Sequence, residues 1–309
     1  MGDRFNRVED VQFYTKEWNG ERFPDGRPKV SDKVLERLSK LTMEQAVMAM
    51  IDIGYTHQFE GSLKRTNSER RMIGRAVTAV MVPTRIDVHK NLLEEGRSLY
   101  GHQGFFNQWA IESLSEHDIL VVDMCDQILY GTYVGGNLST AIKTKTIDGG
   151  AVIWGGIRDL EQIEGIDDYQ CYYRGYDPTP IGDVMMTGKN VPTRIGHAVC
   201  LPGDVVLGTQ AGVCFIPAHL ADYVASTAEK EYIRDIFGFT RLKDGTYTTD
   251  EVDNKWTIKI MKDFEQWFKT ASEAKDYQYL DFSLEWEIAE KLERGEVVPF
   301  DGLVDYKYK

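Results

Sequence analysis

The stretch from Asp118 to Gln162 constrains the fold more than any other part of this 309-residue chain. It opens with Ile119, Leu120, Val121 and Val122, an apolar run too short for a helix and bounded by charge, which suits a buried strand. The pair Gly135-Gly136 then precedes Asn137 and a segment in which Leu138, Ala141 and Ile142 recur at helical spacing. Asp148-Gly149-Gly150 stops that helix. A second apolar run, Ala151 to Trp154, leads through Gly155-Gly156 to Arg158-Asp159. The unit therefore reads as βαβ, with a glycine turn at the helix N-terminus and a charged pair just past the second strand.

This layout permits a definite chemistry. The first N–H groups of the helix, around Leu138, Ser139 and Thr140, lack acceptors inside the helix and sit at the positive end of its dipole, so they can hold an anion. Parallel strands bring Arg158 to the same sheet edge, where its fork of donors can take a carboxylate bidentately. Asp159 offers a hard oxygen suited to a divalent cation such as Mg²⁺. Plainer roles exist for each residue. Asn137 suits a helix N-cap, Asp159 with Gln162 three residues on resembles a capping arrangement, and Arg158 could be an ordinary ion-pair partner. Neither G-x-G-x-x-G nor G-x-x-x-x-G-K-[ST] is found around this turn.

The runs GGNLSTAIKTKTIDGGAVIWGGIRD, RGYDPTPIG and VPTRIGHAVCLPGDVVLGTQAGVCFIPAHLA, with GRAVTAVMVPT and ILVVDM upstream, resemble the RraA-like family. That family includes the class II 4-hydroxy-4-methyl-2-oxoglutarate/4-carboxy-4-hydroxy-2-oxoadipate aldolases and regulators of ribonuclease activity. The resemblance extends from about Leu35 to Ile233. It implies an α/β fold, a layered α/β/β/α domain of the swivelling β/β/α type, assembled as a homotrimer or dimer of trimers with sites at subunit boundaries. It further implies that Arg158 binds the carboxylate of a pyruvyl group and that Asp159 holds Mg²⁺ or Mn²⁺ largely through water. Gly136, Leu138 and Ser139 of the turn, with His102 of the YGHQGFFN loop and Arg174 of the RGYDPTPIGD loop, would complete the substrate pocket.

The pattern is not followed throughout. Counting twenty-one residues back from Arg158 reaches Asn137, where the aldolases carry an acid. An amide can bond a ligand but cannot take up a proton as a carboxylate does at neutral pH. Thr209, Gln210 and Ala211 stand where family members often place acids. For the carboxylate that a neighbouring subunit supplies, the candidates are Glu229 and Glu231.

The remaining sequence bounds the partners and the domain plan. Thirty-six basic and 49 acidic residues give a net charge of −13, and no basic stripe interleaved with aromatics is present, which argues against nucleic acid. No apolar run approaches the roughly 18 residues of a membrane span, and the N-terminus has no signal-peptide layout, so a cytoplasmic protein is the expectation. The four cysteines, Cys125, Cys171, Cys200 and Cys214, form no C-x-x-C and read as structural thiols. Residues 1–33 read as an irregular arm carrying Phe13, Tyr14, Trp18 and Phe23, residues 34–237 as the α/β core, and residues 238–309 as a helical extension. In the extension Trp256, Ile260, Phe264, Trp267 and Phe268, and then Leu284, Ile288 and Leu292, recur at helical spacing. The function expected from all this is a Mg²⁺- or Mn²⁺-dependent lyase on a 2-oxo acid, by retro-aldol cleavage or oxaloacetate-type decarboxylation. The alternative is a non-catalytic regulator that binds a ribonuclease.

Overall fold

The computed structural model describes residues 3–296. The last thirteen residues of the expected extension lie outside that range. The chain forms two compact units, Met1–Met43 with Tyr55–Asp222, and Glu44–Gly54 with Tyr223–Lys309. The division thus falls at the start of a long helix rather than at residue 237, and a short early segment joins the second unit.

The first unit is built on one mixed sheet. Its strands are β1 (Phe59–Glu60), β2 (Lys64–Arg65), β3 (Met72–Pro83), β4 (Asp118–Asp123), β5 (Gly150–Ile157), β6 (Gln170–Tyr176), β7 (Val184–Lys189), β10 (Val205–Thr209) and β11 (Gly212–Ile216), while β8 (Thr193–Ile195) and β9 (Ala198–Cys200) form a separate hairpin. The order is β1-β11-β10-β3-β4-β5-β6-β2, with β7 pairing the end of β3. Strands β3 to β6 are mutually parallel. The helices are α1 (Val8–Tyr14), α2 (Asp32–Ser39), α3 (Met43–Ile51), α4 (Ile86–Leu99), α5 (Phe106–Glu112), α6 (Gly136–Thr146), α7 (Leu160–Glu164), α8 (Ala221–Lys243), α9 (Thr249–Asp253), α10 (Ile258–Thr270) and α11 (Ser283–Glu293).

Every residue of β4 and β5 is buried, which explains their unbroken apolar reading: a parallel sheet covered on both faces hides both sides of each strand. The pleat sends Leu120, Val122, Ala151 and Ile153 to one face, against Phe106 and Trp109 of α5 and Ile142 of α6. It sends Ile119, Val121, Val152 and Trp154 to the other, against Ile195, Ala198 and Phe215. The βαβ unit inferred from Asp118–Gln162 is therefore β4-α6-β5, and its parallel register places the ends of both strands side by side.

The N-terminal arm is more regular than its composition suggests. It contains α1, and it is anchored by Phe5 and Val11 in the core rather than by Phe13, which is 71% exposed. Its main tie is Arg27, which is buried. The Arg27 Nη1 and Nη2 groups donate to Asp118 Oδ1 at 2.8 Å and Oδ2 at 3.1 Å, Nε donates to Asp25 at 2.8 Å, and the guanidinium lies 4.6 Å from the centre of the Phe23 ring. Cys171, Cys200 and Cys214 are buried thiols, whereas Cys125 is exposed at the end of β4.

In the second unit Ile233 and Phe237 of α8 pack with Trp256, Ile260, Phe264 and Phe268, so the first expected stripe is a core stripe. The second is displaced: Leu284 is 59% exposed, and α11 instead turns Ala289 inward. No helix among the described residues is long and apolar enough to cross a membrane.

Candidate active site

The turn between β4 and α6 meets the end of β5 at Arg158 and Asp159. The Arg158 N–H donates to Val134 O at 3.0 Å, which pins the chain after β5 to the residue before the glycine pair. Asp159 caps α7 by position, in the left-handed region at φ 53°, ψ 42°, but its carboxylate makes no cap to its own helix. Instead Asp159 Oδ2 accepts the Gly136 N–H at 3.2 Å, across the turn, and lies 3.8 Å from Arg158 Nε. This is a sequence-distant link, so the Asp159-Gln162 spacing could not reveal it.

The helix start also differs from expectation. Gly135, not Asn137, is the N-cap of α6. Asn137 is exposed in the first turn, and its side chain makes no hydrogen bond among the described residues. Ser139 N–H donates to Gly135 O at 3.0 Å, so the open donors fall earlier than Leu138 to Thr140. They are the N–H groups of Asn137 and Leu138, beside a Gly136 N–H that Asp159 already occupies. The Ser139 side chain is fully buried and faces the core rather than a ligand.

The glycine pair fits this crossing tightly. A Cβ on Gly135 would stand 2.3 Å from Asp159 Oδ2 and 3.1 Å from Arg158 Cγ and Nε, and one on Gly136 would stand 2.2 Å from Gln162 Oε1. Gly135 was not among the residues singled out from sequence, although the doublet was its signal. The geometry brings together Arg158, Asp159, Gly136, Asn137 and Leu138, with Gln162 at the edge.

Other expected residues are held elsewhere. His102 stacks on Trp109 at 4.7 Å and its Nε2 lies 3.1 Å from Asp3 Oδ2, which ties it to the N-terminal arm. Arg174 Nε donates to Asp126 at 3.0 Å, Nη1 donates to Ser62 O at 3.1 Å, and the guanidinium covers Trp154 at 4.5 Å. Trp154 belongs to the face of the sheet opposite α6, so Arg174 is committed to that face. Glu229 is buried and accepts the Tyr279 hydroxyl at 2.8 Å, while Glu231 is half exposed and pairs with Arg234 at 2.8 Å.

Burial pushes the phenols of Tyr133 and Tyr169 and the thiol of Cys171 well above their usual ranges. These core groups stay neutral at physiological pH and offer no base. Among the described residues no group of three or more His, Cys, Asp or Glu side chains is placed to hold a metal ion. Asp159 nevertheless fits a cation that keeps most of its water, because among the described residues its Oδ1 accepts no hydrogen bond and the side chain is 35% exposed.

Residues 28–215 match the RraA-like family, described as Aldolase/RraA. The chain belongs to this family. A Halalkalibacterium halodurans protein provisionally named 4-hydroxy-4-methyl-2-oxoglutarate aldolase is 30% identical over 132 residues, which cover 41% of this RraA-like chain and 59% of the relative. The crystal structure of Streptomyces coelicolor RraAS2, described as an unusual member of the RNase ES inhibitor RraA family, superposes with a TM-score of 0.57 at 20% identity, over 70% of this chain and 98% of that one. An uncharacterized Pseudomonas syringae protein gives 0.61 at 17% identity, over 76% and 99%. At these identities the two structures speak for the RraA-like fold alone.

Proposed function

We propose that this RraA-like protein is a divalent-metal-dependent lyase acting on a 2-oxo acid, by retro-aldol cleavage to pyruvate or by decarboxylation of an oxaloacetate-type substrate. The observation that carries the reading is the Arg158 guanidinium, 41% exposed, standing beside the Asp159 carboxylate across a glycine turn with two open amides. Arg158 and the N–H groups of Asn137 and Leu138 take the substrate carboxylate, with the positive end of α6 behind it. Asp159, fixed by the Gly136 N–H, would hold Mg²⁺ or Mn²⁺. Such a cation supplies a Lewis acid that polarises the 2-oxo group and offsets enolate charge.

Asn137 can bond the substrate but cannot accept a proton, so a carboxylate from a neighbouring copy is needed for a retro-aldol step. Of the two candidates Glu231 is the better placed, because its side chain is 47% exposed whereas Glu229 is enclosed. A homotrimer or dimer of trimers would provide that neighbour. The aldolase name of the Halalkalibacterium relative supports the reading.

The test is pyruvate release from 4-hydroxy-2-oxo acids and oxaloacetate with Mg²⁺, Mn²⁺ or chelator. Turnover that survives Asp159→Ala unchanged would refute the proposed role. The second reading, a regulator that binds a ribonuclease, draws on the RraA half of the family's description and on the amide at 137. Recovery of a ribonuclease in a pull-down, with no turnover on the whole substrate panel, would favour it.

A further inference from the structure

Toward the other edge of the sheet, the N-terminal arm and the segment after β11 line a partly open cavity of about 260 Å³. Its lining includes Tyr14, Glu17 and Trp18 of the arm together with Tyr55, Asp204 and His219, all within the first unit. Strand β11 leads into His219 and β5 leads into Arg158, and these strands are four positions apart. At about 4.8 Å per strand the cavity lies on the order of 20 Å from Arg158. It is therefore a separate feature from the glycine turn.

The lining has a consistent chemistry. Three aromatic side chains and two carboxyl groups contribute, and neither Lys nor Arg does. His219 Nε2 lies 3.2 Å from the Tyr55 hydroxyl, and burial holds its imidazole below the ordinary histidine range, so it carries no charge at neutral pH. Asp204 is fully buried and accepts the N–H of Leu201 at 2.8 Å and of Ala218 at 3.3 Å. Burial nevertheless pushes its carboxyl up to about 7, since no cation compensates it. Aromatic rings present negative π faces that attract cations most strongly where water is excluded, and an adjacent carboxylate adds to that attraction.

We propose that this cavity binds a small organic cation, an alkylammonium or quaternary ammonium group, held by the rings of Tyr14, Trp18 and Tyr55 and by the charge of Glu17. The volume falls below the roughly 300 Å³ at which drug-sized ligand sites begin, which suits a compact head group. The net charge of −13 favours approach of a cation over an anion. A neutral apolar ligand would use the same rings without gaining from Glu17, and the two cases separate by experiment.

The test is calorimetric titration of the full-length protein with choline and with 3,3-dimethyl-1-butanol, its uncharged isostere, at low salt. The expected result is saturable choline binding about tenfold tighter than that of the alcohol. Glu17→Gln should weaken choline several-fold and leave the alcohol unchanged; Glu17 is 67% exposed, so folding is not at stake. Trp18→Ala should weaken both ligands. Equal affinity for choline and the alcohol, undiminished choline affinity in Glu17→Gln, or no saturable choline binding by the wild type would each overturn the proposal. Pyruvate release assays of Glu17→Gln should match wild type, which keeps this result independent of the lyase reading.

Discussion

Replacing Gly135 by Ala isolates the position of the Asp159 carboxylate from the stability of the fold. The Gly135 backbone is extended, φ −130° and ψ −167°, so alanine can adopt it without strain. The added Cβ would stand 2.3 Å from Asp159 Oδ2, whereas ordinary contact begins near 3.4 Å. The carboxylate must therefore withdraw by about 1.1 Å, and Arg158, 3.1 Å from the same point, must give by a few tenths of an ångström. A shift of about 1 Å in a positioned group can cost on the order of 100-fold in rate. The stability change is smaller. Losing the Gly136–Asp159 hydrogen bond costs about 1 kcal/mol, partly offset by the lower backbone entropy of an unfolded chain with alanine, about 0.4–1 kcal/mol. Steady-state pyruvate release and urea unfolding measured together should show activity down about 100-fold with unfolding within about 1 kcal/mol of wild type. Gly136→Ala is the control, because its Cβ would press on Gln162, 2.2 Å from Oε1 and 3.1 Å from Cβ, rather than on Asp159 or Arg158. It should retain most activity. Full activity in Gly135→Ala would refute the claim that Asp159 is held in a working position by this turn.

Other expectations follow from the same geometry. Arg27→Met leaves Asp118 buried without its cation and should destabilise the protein by about 3–5 kcal/mol in urea titrations; Asp118→Asn added to it should recover part of that loss. The Asp204 carboxyl binds its proton more tightly folded, near 7, than unfolded, near 3.8, so stability should fall as pH rises through that window and level off above it. The full effect is roughly 4 kcal/mol, about three pKa units at about 1.4 kcal/mol each, and Asp204→Asn should flatten the slope measured by urea unfolding between pH 5 and pH 8. Phe264→Ala removes a ring from the centre of the helical unit and should cost about 3–5 kcal/mol, read as lost amide protection along α10.

Much of the fold was legible because its central strands are buried on both faces. Ile119 to Val122 and Ala151 to Trp154 read as strands from apolarity alone, and the intervening period of α6 fixed their parallel sense. The place of Arg158-Asp159 just past the end of a strand, facing the glycine turn before α6, was also legible. What the sequence could not reveal were contacts between distant residues. The crossing of Asp159 to Gly136 moved the helix cap from Asn137 to Gly135, the commitment of Arg174 to Trp154 removed it from the α6 face, and the stacking of His102 on Trp109 tied that histidine to the arm. The order of the arm was not legible, because beside Phe5 and Val11 its main tie is one charged residue, Arg27. Periodicity searches weigh apolar side chains, and a buried cation whose partner lies ninety-one residues away leaves no local pattern.

The most direct test of the lyase account is pyruvate release by wild type, Arg158→Ala and Asp159→Ala across 4-hydroxy-2-oxo acids and oxaloacetate, each with Mg²⁺, Mn²⁺ or chelator. The account predicts turnover that requires a divalent cation, is lost in Asp159→Ala, and falls in Arg158→Ala chiefly through weaker carboxylate binding. Turnover indifferent to chelator and to both substitutions, or no turnover of any substrate by the wild type, would contradict it.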